Sequence, residues 1–157
     1  MAHQFGVVQG SPESALDLLA KDQLVVVAPG GMREALRPTT DRYQVLWRKR
    51  KGFARLAVQA QCPVILAACP RADDIYQVKE SRFTRSVYRF LKLPMPVVSG
   101  IGPTLIPKPV PLQHLLSKPI LPPPLSSTET EILDFHKGLR QRMERLMEKG
   151  LSNEARL

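Results

Sequence analysis

The residues best suited to chemistry are Pro29-Gly30-Gly31-Met32-Arg33-Glu34, which end the short apolar run Leu24-Val25-Val26-Val27-Ala28. Two consecutive glycines allow positive φ and let a ligand approach the backbone without meeting a Cβ. Arg33 offers a planar fork of donors to a phosphate or carboxylate, and Glu34 is placed to hold that fork. The chemistry on offer is anion or polar-headgroup binding; the competing reading is a plain turn carrying a surface ion pair. A second cluster, Arg48-Lys49-Arg50-Lys51, adds cations that cannot all point one way. From Arg33 to Arg55 there are eight Lys/Arg against two acids, so much of the net charge of +9 is concentrated around the Pro-Gly-Gly turn. Such a charge calls for an anionic partner: a phosphorylated small molecule, a membrane surface or nucleic acid.

Residues for proton transfer are scarce. His3, His114 and His136 stand in unrelated contexts, and none has a carboxylate at a useful distance to orient it. No Gly-x-Ser-x-Gly elbow, Walker loop or dinucleotide fingerprint is present. Cys62 and Cys69 flank a single apolar run without a second Cys or His pair, which indicates neither a zinc site nor a disulfide framework and leaves two reduced core residues. No cofactor and no metal are expected. Aromatic content of 6% argues against base stacking, and no nucleic-acid motif accompanies the charge, so nucleic acid is not the expected partner.

The elements that must position these residues follow from periodicity. At 157 residues the chain suits one domain, 1–157. Ser11-Pro12-Glu13 opens a helix, with Ser as cap and Pro in the first turn. The run Leu24 to Ala28 then reads as a buried strand ending at the Pro-Gly-Gly turn, where ligands sit in α/β sheets. A helix is expected from about Tyr43 to Ala60, with Leu46, Phe53, Leu56, Ala57 and Ala60 on one face. Pro63 to Cys69 reads as a second buried strand, Arg71 to Lys79 as a polar loop, and Ser81 to Leu91 as a basic amphipathic helix. Ten of the fifteen prolines fall within 94–124, which implies an extended segment wrapping over the domain, with one more strand near Val110 to Leu116. Thr128-x-x-Glu131 is a capping box for a last helix, 128–150, with Gly150 as its stop. Helix and strand alternate, so the expected fold class is α/β, a mixed, mostly parallel sheet flanked by helices. No window is long and apolar enough for a membrane-spanning helix.

The ordered set Pro29-Gly30-Gly31-x-Arg33-Glu34, Trp47-x-x-Arg50-Lys51-Gly52-Phe53-Ala54 and Cys62-Pro63-Val64-Ile65 resembles the glycerolipid acyltransferase superfamily. Within it the likeness is to the branch of diacylglycerol acyltransferase type 2 and related lysophospholipid acyltransferase-like proteins. Gly10-Ser11-Pro12, Ser99-Gly100-Ile101-Gly102-Pro103 and Lys118-Pro119-Ile120 extend it over roughly Phe5 to Gly150. The resemblance implies acyl transfer from acyl-CoA, as co-substrate, or another acyl thioester to a hydroxyl of a glycerolipid or similar alcohol. It also implies peripheral association with a membrane, at its cytoplasmic face and favoured by anionic lipid. Gly30, Gly31, Arg33 and Glu34 would line the acceptor or phosphate site, with Arg50 and Lys51 adding positive potential. The family's general base, a His followed five residues later by Asp, has no counterpart here: Val8 stands five residues after His3. The expectation is therefore an acyltransferase-like domain truncated at its amino end and inactive alone. The alternative is a non-catalytic basic module that binds anionic lipid or a protein partner.

Overall fold

The computed structural model describes residues 11–79 and 97–154. Helix α1, Pro12–Ala20, starts as its sequence dictates: Ser11 is extended, and its hydroxyl accepts the Ser14 N–H at 3.1 Å. The backbone reverses at Asp22, φ 54°. Residues 23–28 form no strand and carry no ladder partner among the described residues, and Leu24 and Val26 are each 87% exposed. The expected burial of this run is thus corrected: β-branched residues favour a strand, but burial needs a paired neighbour.

Helix α2, Gly31–Ala35, follows the turn, and a 3-10 turn spans Thr39–Asp41. The long helix expected from Tyr43 is also corrected. Only Gly52–Ala60 is helical, as α3. Tyr43 and Arg48 take positive φ, 66° and 49°, and the chain between them is irregular. That break lets Trp47 enter the core at 3% exposure, a position the one-face periodicity had not used. Ala54, Ala57 and Val58 are the buried residues of α3, which Gln61 ends in the left-handed conformation, φ 47°.

Beyond Cys62 the chain runs antiparallel to the proline-rich segment. Val64 bridges Ile120 through two backbone hydrogen bonds of 2.9 Å, and β1, Ala67–Ala68, pairs with β4, Leu115–Leu116. Instead of a loop, residues after Cys69 form a 3-10 turn, Pro70–Asp74, and strand β2, Gln77–Lys79, which pairs with β3, Val97–Ser99. Every strand pairing among the described residues is antiparallel. The helix expected over Ser81 to Leu91 lies outside the described residues. Cys62 and Cys69 are free thiols, both half-buried.

Helix α4, Glu129–Glu154, begins with the capping box: the Thr128 N–H donates to Glu131 at 2.6 Å and the Glu131 N–H to the Thr128 hydroxyl at 3.3 Å. It does not stop at Gly150. That residue is buried inside the helix, where a Cβ would lie 2.6 Å from Pro70 Cγ. Gly150 therefore serves close approach of α4 to the Pro70 turn. The core gathers Trp47, Ala54, Leu66 and Leu139, with Phe53, Ile120, Phe135 and Leu146 packed around them. Among the described residues no helix is long and apolar enough to cross a membrane.

Candidate functional site

The turn expected to bind a ligand is built from four interlocking residues. Gly31 closes it by donating its N–H to the Ala28 carbonyl at 3.0 Å and takes φ 55°, a conformation that strains any residue with a Cβ. Gly30 is buried, with the Glu34 side chain folded directly over it, so a Cβ there would collide with Glu34. Arg50 reaches across from the segment before α3. Its Nη1 donates to the carbonyls of Pro29, at 3.1 Å, and Gly30. The same nitrogen lies 2.8 Å from where a Gly31 Cβ would stand. Both glycines thus admit their own neighbours, Glu34 and Arg50.

Glu34 does not hold the Arg33 fork, as the sequence had implied. Its carboxylate accepts the Leu46 N–H at 2.8 Å and lies 3.9 Å from Arg37. Arg37 in turn donates to the Glu34 carbonyl at 2.8 Å and pairs with Asp73 at 3.4 Å. Asp73 accepts the Tyr43 N–H at 2.7 Å. Next to it, Asp74 receives the Tyr43 hydroxyl at 2.6 Å, Arg42 at 3.0 Å and Arg71 at 3.1 Å. Burial alone would raise the Asp74 carboxyl, but the Tyr43 hydroxyl and the two guanidinium groups hold it below its usual value. Burial, then the adjoining Asp74, pushes the Tyr43 phenol up. This lattice fixes the back of the turn. Sequence reasoning missed it because Arg37, Tyr43, Asp73 and Asp74 stand as unremarkable polar residues up to 37 positions apart; the only local signal is the Arg71-x-Asp73-Asp74 triplet.

The remaining cations separate. Lys51 and Arg55 both pair with Glu129 at the start of α4, so Lys51 is not part of the turn. Arg33 is exposed and has no ion-pair partner among the described residues. Its chain neighbour Met32 is exposed, 64%, as are Leu24 and Val26 before the turn. The structure therefore brings Gly30, Gly31, Glu34 and Arg50 together, leaves Arg33 free at the mouth and sends Lys51 elsewhere. Such a site can position a ligand; the carboxylate at the turn, that of Glu34, is engaged by the Leu46 N–H. His136 is buried between Trp47 and Phe53, with ring centroids 6.3 and 5.6 Å away, and its Nε2 has no partner. Among the described residues no cluster of His, Cys, Asp or Glu is arranged to hold a metal ion.

Comparison with known proteins accounts for this construction. The chain is 32% identical over 111 residues to a "DGAT1/2-independent enzyme synthesizing storage lipids" of Gallus gallus, covering 68% of this chain and 33% of that protein. It is 28% identical over 162 aligned positions to the 2-acylglycerol O-acyltransferase 3 of Homo sapiens, covering 92% of this chain and 47% of that protein. A diacylglycerol O-acyltransferase 1 of Saccharomyces cerevisiae is 41% identical over 54 residues, 34% of this chain and 13% of that protein. The chain thus spans less than half the length of the curated relatives it matches. No solved structure matches it. The family model for diacylglycerol acyltransferase matches residues 1–153, and this span takes in the locked Pro-Gly-Gly turn, the Arg50 clamp and all but the last residues of α4. The chain therefore belongs to the diacylglycerol acyltransferase family.

Proposed function

We propose that this chain carries the substrate-positioning part of an acyltransferase that moves an acyl group from acyl-CoA, or another acyl thioester, to a hydroxyl of a glycerolipid or similar alcohol. The observation that carries the reading is the Arg50 clamp on Pro29 and Gly30, which leaves Arg33 unpaired next to the exposed Met32 in the chain, after a run in which Leu24 and Val26 are also exposed. A fixed turn with one free guanidinium and apolar neighbours suits a ligand with a charged or polar head and an acyl chain. In the reaction, the acceptor oxygen attacks the thioester carbon, the C–S bond breaks, and the hydroxyl proton passes to a base and on to the leaving thiolate. The Glu34 carboxylate at this turn is engaged by the Leu46 N–H. Five residues after His3, His114 and His136 stand Val8, Pro119 and Gln141, so none supplies the His-x-x-x-x-Asp pair. The reading places the protein peripherally on the cytoplasmic face of a membrane, where its lipid acceptor lies.

The test is acyl-CoA binding by calorimetry beside acyl-CoA consumption with monoacylglycerol, diacylglycerol and lysophospholipid acceptors. The 157-residue chain is expected to bind acyl-CoA and release no CoA. Arg33→Ala should weaken binding about tenfold, the effect of one lost charge-assisted hydrogen bond. Turnover by this chain alone overturns the assignment of a positioning role, and absence of binding overturns the site.

A further inference from the structure

We propose that the groove between the Ser117–Ile120 segment and the end of α4 is where this protein holds the phosphates of an anionic lipid surface. The inference is independent of acyl transfer. It begins from where the charges go. The dense run Arg33 to Arg55 is largely committed: Arg37 to Glu34 and Asp73, Arg42 to Asp74, Arg50 to backbone carbonyls, Lys51 and Arg55 to Glu129. The chain from Thr128 onward is neutral by count, with six residues of each sign, yet it is not neutral in space. Glu129 serves Lys51 and Arg55, Glu131 serves its own cap, Asp134 pairs with Lys137 at 3.0 Å and Glu144 with Arg140 at 3.4 Å. Arg142, Arg145 and Lys149 are left without an ion-pair partner among the described residues, and Glu148, unpaired as well, does not line the groove they form.

Their spacing of three and four residues puts these cations on one stripe of α4. Across from them stands Lys118, also without an ion-pair partner among the described residues, and together they line a groove of about 270 Å³ floored by Ile120 and Leu146. No carboxylate lines it. Leu116 and Leu121 flank the Ser117–Ile120 wall in the chain and Leu125 follows them, and they are 67%, 77% and 65% exposed. Cations alone would suit a soluble phosphate. Large exposed apolar side chains in the chain flanking Lys118 fit a lipid interface, where leucines enter the acyl boundary and Arg and Lys reach the phosphates.

Flotation of the full 157-residue chain with phosphatidylcholine vesicles, with and without phosphatidylserine, tests this. Binding is expected only with phosphatidylserine and should weaken as salt is raised. The triple variant Arg142→Gln/Arg145→Gln/Lys149→Gln should bind about a hundredfold more weakly, given the usual contribution of each cation near an anionic surface. The control Arg48→Gln/Lys49→Gln/Lys79→Gln removes the same charge and should lose less than about threefold. Leu116→Ser/Leu121→Ser, at unchanged charge, should lose about tenfold. Because all these side chains are exposed, helical circular dichroism should be retained; where a charge variant unfolds, the leucine pair decides. Equal losses in the two charge triples would reduce the groove to diffuse net charge and overturn the proposal. So would displacement from vesicles by millimolar inorganic phosphate at constant ionic strength, or unchanged binding of the leucine variant, since either marks a soluble-phosphate site.

Discussion

Glu34 accepts the backbone N–H of Leu46 at 2.8 Å across twelve residues of chain, and so ties the helix after the glycine turn to the irregular segment that delivers Trp47 to the core. The bond satisfies a partly buried donor, which is costly to leave unmade. Glu34→Gln keeps an acceptor for Leu46 and is expected to cost less than about 1 kcal/mol. Glu34→Ala strands the N–H and should cost about 1–3 kcal/mol. Urea unfolding of the two variants separates them; equal losses would assign the effect to the 3.9 Å pairing with Arg37 instead.

Four glycines give a graded series in thermal unfolding. Gly138 lies within α4 with nothing within 4 Å of a built Cβ, so Gly138→Ala should stabilise by about 0.5–1 kcal/mol. Gly31→Ala must take φ 55° and crowd Arg50, and should destabilise by about 1–2 kcal/mol. Gly30→Ala and Gly150→Ala meet Glu34 and Pro70 respectively, and each should cost more than Gly31→Ala. A Gly150→Ala protein as stable as the parent would show that α4 does not approach the Pro70 turn this closely.

Tyr43→Phe deletes the 2.6 Å bond from the phenol to Asp74 while keeping the ring. Bonds to charged acceptors are worth more than neutral ones, and with this pair only partly buried the expected loss is about 1–2 kcal/mol. The pH dependence has a definite sign. The folded Asp74 carboxyl is held below its usual 3.8, so its contribution is complete above that value and is lost as pH falls through the folded one. The stability gap between parent and Tyr43→Phe should therefore be constant near neutrality and shrink only under strong acid. A gap that already closes around pH 6 would point to a histidine.

The two ends of the described chain were legible because their signals are local. Ser11-Pro12 and Thr128-x-x-Glu131 satisfy helix termini with residues a turn away, and those caps form as read. Order along the sequence also revealed the family, since a motif set needs no tertiary contact to be recognised. What failed depended on distant partners. The apolar run Leu24 to Ala28 looked buried because composition cannot say whether a neighbouring strand is present. The helix from Tyr43 was overextended because Glu34, twelve residues back, captures the Leu46 N–H, and Tyr43 and Arg48 turn to positive φ, which no helix tolerates. Gly150 read as a stop because close packing against Pro70 and a cap both demand glycine. At the turn, the glycines and Arg50 were found by type, whereas the real partner of Glu34 was not: i+12 hydrogen bonds leave no periodic trace.

His136 makes the stability of the core sensitive to mild acid. The ring is 6% exposed, packed between Trp47 and Phe53, and its Nε2 has no partner. Burial, followed by the nearby Arg140 and Lys51 charges, lowers its pKa from 6.5, and the backbone of Arg50 opposes this only in part. A base with a depressed folded pKa is neutral in the native state and takes up its proton more readily when unfolded. Stability should therefore hold above the unfolded value, fall as pH drops through about 6.5, and level off once the folded ring is also protonated. His136→Phe fills the same space, removes the orphaned nitrogen and should flatten this slope between neutral pH and the onset of carboxylate titration. At alkaline pH the variant should stay within about 1 kcal/mol of the parent, because it removes the unpartnered Nε2 but also the ring's hydrogen bond to the Arg50 backbone. Denaturant midpoints measured across that range decide the matter: a slope that survives in His136→Phe would move the acid sensitivity out of the core.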